Sequence, residues 1–122
     1  MRSFLTILLF VFSLTLVNAQ SSSTATCSSK ANLVKGVESG LIELTLPETS
    51  TKDDVAKYAS YYKNAFLVTF DEKSHVATIK MVENTSSNRR VIVRFLSANQ
   101  VQNVIVEGKS FILNDFFENF LK

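Results

Sequence analysis

The chain has 122 residues, 46% of them hydrophobic, with 13 Lys and Arg against 11 Asp and Glu and a formal net charge of +2. That is enough material for one core and too little for two domains, and a balance so near neutrality argues against a protein that holds nucleic acid or anionic membrane by bulk electrostatics. The single cysteine excludes an internal disulfide and a thiolate-rich metal cage.

Met1 to Ala19 has the form of an export signal. Arg2 gives a positive start, Phe4 to Val17 is apolar apart from Thr and Ser hydroxyls, and Val17-Asn18-Ala19 offers small residues for cleavage before Gln20. The apolar run is shorter than the ~20 residues of a spanning helix, so the expectation is a secreted or periplasmic protein with no stable membrane insertion after cleavage. Gln20 to Lys30 is rich in Ser and Thr and has little to bury. Residues 20–40 therefore read as a flexible leader, and residues 41–122 as the folded domain.

From Leu41 the apolar pattern becomes regular. Ile42, Leu44 and Leu46 alternate with Glu43 and Thr45, the period of a half-buried strand that Pro47 ends. Thr49 to Thr51 offer caps, Asp53 and Asp54 suit a first helical turn, and Val55, Tyr58, Ala59 and Tyr62 share one face, which predicts a helix running to about Asn64. Phe66, Val68 and Phe70 lead through a polar turn at Asp71–His75 into Val76–Val82, a β-hairpin with Ala77, Ile79 and Met81 inward. Residues 89–99 fit two patterns. Val91, Val93 and Phe95 alternate like a strand, while Ile92, Phe95, Leu96 and Asn99 have helical spacing. Ser86 or Ser87 as N-cap and Asn99 as a left-handed stop favour the helix, against the poor propensity of Val91-Ile92-Val93. Val101–Val106 reads as a strand, Glu107-Gly108-Lys109 as a turn into a short return at Ser110–Leu113, and Asp115–Leu121 as a final helix capped by Asn114.

The resulting order, βαββαβ with an extra C-terminal helix, is that of a ferredoxin-like α+β sandwich, a four-stranded antiparallel sheet with two helices on one face. Two segments support a resemblance. Leu67–Met81 (LVTFDEKSHVATIKM) resembles the central hairpin of the heavy-metal-associated domain family, and Asn99–Val106 (NQVQNVIV) is similar to the same family's passage from second helix to last strand. The resemblance covers Leu41 to Glu107. It would imply a C-x-x-C loop before the first helix, yet the matching positions are about Glu48 and Thr51, and neither is a thiol. The soft-metal function of that family therefore does not transfer, and no cofactor is expected.

Few residues carry candidate chemistry. Cys27 and His75 are the sole thiol and imidazole and, with carboxylates, the alternative metal ligands; the two alone do not complete a zinc site. His75 lies in a turn without a nucleophile or acid signature, and Asp53-Asp54 and Asp71-Glu72 are explained by a helix start and a turn, so no catalytic residue is assigned. Arg89, Arg90 and Arg94 form the one concentrated positive site, suited to a carboxylate or phosphate. Tyr61 faces away from the tyrosines expected in the core and suits an interface. Asn84-Thr85-Ser86 is a glycosylation sequon. The reading is a non-catalytic module that binds a protein or small ligand. The alternative is a metal-handling protein with ligands other than C-x-x-C.

Overall fold

The computed structural model describes residues 23–122. The export signal expected at Met1–Ala19 and the cleavage point before Gln20 lie outside the described residues. The fold is α+β, a mixed six-stranded sheet with its helices on one side. The strands are β1 (Thr24–Cys27), β2 (Leu41–Thr45), β3 (Phe66–Asp71), β4 (Val76–Met81), β5 (Asn103–Val106) and β6 (Lys109–Ile112), and the helices are α1 (Lys30–Ser39), α2 (Lys52–Ser60), α3 (Ser86–Ala98) and α4 (Leu113–Phe116), the last continuing as a π-helical turn over Phe117–Leu121. The sheet order is β3-β4-β2-β1-β5-β6. The β1–β5 pair runs parallel and the other neighbouring pairs run antiparallel.

Two expectations are corrected here. Residues 24–39 are not part of a flexible leader: they form β1 and α1. Nor is the sheet four-stranded, because β1 separates β2 from β5 and β6 extends the far edge. The reason is that a central strand can be cheap in apolar side chains. Only Ala25 and Cys27 of β1 point inward, both buried, and the strand gains ladder hydrogen bonds to neighbours on both sides. Ser29 then caps α1, its hydroxyl accepting from Asn32 N–H at 3.1 Å, and Gly40 closes the helix at φ 78°, its N–H donating to Gly36 O.

Elsewhere the side-chain periods decide the packing. Ile42, Leu44, Phe66, Ala77, Ile79, Met81, Val104 and Val106 face the helices and join Leu33, Val55, Ile92, Phe95, Leu96, Phe116 and Leu121 in one core. Tyr58 and Tyr62 are half-buried at its margin. Helix α2 stops at Ser60 rather than near Asn64, because the chain tightens: Tyr62 N–H bonds Ala59 O and Ala65 N–H bonds Tyr62 O. The ambiguous segment is helical. Its β-branched residues are tolerated because Ile92, Phe95 and Leu96 are fully buried, and tertiary packing outweighs propensity.

The caps differ in detail from expectation. Thr85, not Ser86 or Ser87, caps α3, accepting from Asn88 N–H at 3.2 Å. Asn99 keeps φ −85° and the left-handed position falls one residue later, at Gln100 with φ 63°. Asn99 is buried with its Nδ2 donating back to Phe95 O, so it completes the helix instead of leaving it. Asn114 lies inside α4, which begins without a side-chain cap.

Candidate functional site

The three arginines all come from α3, and the structure separates their roles. Arg89 is not available to a partner: its Nε donates to Leu121 O at 2.6 Å and its Nη1 to Asn84 Oδ1 at 2.7 Å. It thereby staples the C-terminal turn to the start of α3. Asn84 is committed as well, its Nδ2 donating to Val37 O at 2.7 Å, so the nitrogen a glycan would need already holds α1 in place.

Arg90 and Arg94 are exposed and, one helical turn apart, line a cleft of about 240 Å³ with Val93, Asn114 and Phe117. The Arg90 guanidinium lies 4.9 Å from the centre of the Phe117 ring. Stacking of this kind fixes the plane of the guanidinium while its edge N–H donors stay open. Among the described residues neither arginine has a carboxylate partner; the ion pair found there joins Lys122 to Glu118. Two guanidiniums without a carboxylate partner, one of them over the Phe117 ring, can take a carboxylate or phosphate by charge-assisted, bidentate hydrogen bonds.

Tyr61, 63% exposed, lies at the end of α2 with its ring edge-on to Tyr58 and Tyr62. It belongs to a tyrosine cluster on that helix and not to the lining of the arginine cleft. The sheet face opposite the helices offers less. Leu41 and Leu67 are about half-exposed, but both pair in register with Lys80, and the next row is Thr69, Thr78 and Glu43. Interruption by charge and hydroxyl at each step leaves no continuous apolar patch at that end of the sheet.

The residues weighed for metal lie apart. Cys27 is buried in β1 and its thiol donates to Ser29 O at 3.6 Å. Burial pushes its pKa up, against the smaller lowering effect of hydrogen bonds from the Ser29 and Ser28 backbone, which disfavours the thiolate a metal needs. His75 occupies the β3–β4 turn, two strands away, at φ 58°; it is half-buried, with its ring edge-on to Phe70. Glu48 is exposed, and the Thr51 hydroxyl is engaged as the α2 cap, accepting from Asp54 N–H at 3.2 Å. Among the described residues no three His, Cys, Asp or Glu side chains converge, and no helix is long and apolar enough to cross a membrane.

Reasoning from the sequence missed the meeting of the β2–α2 loop with the end of α3, where Ser50 and Asn99 are both buried. The one local signal was Asn99, a polar residue at a helical core position. Comparison with known proteins finds no matching family model, no matching curated protein and no matching solved structure.

Proposed function

We propose that this chain is an exported, non-catalytic binding module whose cleft between α3 and the C-terminal turn docks an acidic group of a protein partner. The observation that carries the reading is the Arg90–Arg94 pair, unpaired among the described residues, with Arg90 oriented by Phe117. A surface pair of this kind gains by meeting a carboxylate or phosphate edge-on, and a small apolar floor gives that contact a shape as well as a charge. Export rests on the features of residues 1–19. The Leu67–Met81 hairpin supports reading β2 to β5 as a ferredoxin-like unit related to heavy-metal-associated domains, with β1 inserted between its first and last strands, β6 added at the edge, and no thiols in its β2–α2 loop.

Titration calorimetry with a short Asp- and Glu-rich peptide, unphosphorylated and phosphorylated, tests it. Binding should weaken as salt rises and disappear in R90A/R94A while the melting temperature stays put. Equal binding by the double variant, no binding by the parent protein, or turnover of a substrate at this cleft would overturn it.

A further inference from the structure

A second cleft, with no basic side chain in its lining, lies where the β2–α2 loop meets the end of α3. Its inner part, about 70 Å³, is lined by Ser50, Asp54, Tyr58, Asn99 and Gln100 among others. Ser50 and Asn99 are each only 8% exposed. The orientation of the Asn99 amide follows from its neighbour: Nδ2 donates to Phe95 O at 2.9 Å, so Oδ1 is the end left to accept. That oxygen and Ser50 Oγ have no hydrogen-bond partner among the described residues. Buried polar atoms are nearly always paired, and one left alone destabilises the fold, so two on one small cleft mark a place where something else supplies the donors.

Water can occupy the inner part, which has the volume of about two molecules. The space does not end there. At Gln100 and Thr49 it adjoins a wider cleft of about 400 Å³, lined by hydroxyls and amides including Ser97 and Gln102. Gln100 is held at φ 63°, an uncommon conformation for a residue other than Gly, Asn or Asp, between the two compartments.

Charge narrows the occupant. An anion would face the Asp54 carboxylate and the Asn99 oxygen. A cation would find a single carboxylate, Asp54, beside the positive end of α2, which begins immediately after Ser50 and its neighbour Thr51. A neutral group rich in O–H donors suits both, satisfying the acceptors without opposing the helix dipole. We infer that this cleft binds a small neutral polyhydroxyl compound, a monosaccharide or cyclic polyol, with hydroxyls donating to Ser50 Oγ and Asn99 Oδ1 and the ring in the wider compartment. The site is independent of the arginine cleft.

Amide NMR of the protein expressed from its full sequence, titrated with glucose, N-acetylglucosamine and myo-inositol, tests the inference, with inorganic phosphate and putrescine as charged controls. At least one of the three should shift the amides of Ser50, Asn99 and Gln100 with millimolar affinity, and R90A/R94A should leave those shifts unchanged. Ser50→Ala removes a buried unpaired oxygen, so it should keep a folded spectrum and an equal or higher melting temperature while weakening binding about two- to tenfold, the loss of one hydrogen bond. The inference falls if none of the three moves these amides, if Ser50→Ala binds as well as the parent, or if phosphate or putrescine binds more tightly at the same residues.

Discussion

The carboxylate of Glu107, on the turn between β5 and β6, accepts the backbone N–H of Lys30 at 3.2 Å. Lys30 opens α1, a helix with no acidic residue in its own first turn, so the negative charge its N-terminus favours comes from the far end of the sequence. The same residue carries strain: Glu107 and Gly108 have φ 51° and 80°, the paired positive values of a two-residue hairpin turn.

Cap and turn make opposite demands at this position, and substitution can separate them. Glu107→Ala loses the carboxylate and keeps the strained backbone; the helix-terminus contact is exposed and should be worth about 0.5 kcal/mol. Glu107→Asn also loses the reach to Lys30 but adopts the left-handed conformation readily, so it should be more stable than Glu107→Ala by about 1 kcal/mol. Urea unfolding midpoints give the order, and the reverse order would remove turn strain from the account.

Gly36 is the close-approach residue of α1. A Cβ there would stand 2.7 Å from the Leu41 carbonyl oxygen, a backbone atom that cannot swing aside. Alanine would gain ~1 kcal/mol of helix propensity against an overpacking cost of about 1–3 kcal/mol. The backbone clash decides the sign: Gly36→Ala should destabilise by about 1–2 kcal/mol in denaturant titration.

The Arg89 staple predicts a contrast within α3. Removing its two charge-assisted hydrogen bonds, one of them partly buried, should cost about 1.5–3 kcal/mol in Arg89→Ala. Arg90→Ala and Arg94→Ala should change stability by less than about 0.5 kcal/mol, as for ordinary surface sites. Thermal melts of the three single variants check the order.

Cys27 gives a pH dependence with a definite sign. Burial raises its folded pKa, so the folded chain holds the thiol proton to higher pH than the unfolded chain does. Its contribution to stability is intact below the unfolded thiol's value of about 8.5 and is lost as pH climbs through the folded one. Denaturation midpoints of the parent should therefore fall more steeply above that pH than those of Cys27→Ala. At neutral pH, iodoacetamide should label the native thiol far more slowly than the unfolded one.

What was legible in the sequence was local. The alternation of Ile42, Leu44 and Leu46, the inward Ala77, Ile79 and Met81, and the helical spacing of Ile92, Phe95 and Leu96 each correspond to buried faces, because a single element's period reports which side it buries. Thr24-Ala25-Thr26-Cys27 carried no such report: its inward side chains are small, and β5, the strand that pairs with all four of its residues, lies far away in the chain. The site divides in the same way. The spacing of Arg90 and Arg94 could be read directly, whereas the capture of Arg89 by the Leu121 carbonyl depends on where the C-terminal turn docks. The placement of Ser50 and Asn99 on one cleft depends on two distant segments meeting, which no periodicity encodes.

The central position of β1 sets an order of events. A chain delivered from its first residue presents Thr24–Cys27 long before β5, the strand that pairs with all four of those residues. Until β5 emerges, β1 has little more than the single antiparallel pair of Thr26 with Thr45. The middle of the sheet therefore stays incomplete until residues 103–106 are present, and it rests on a pairing of high sequence separation, the kind of contact that slows folding.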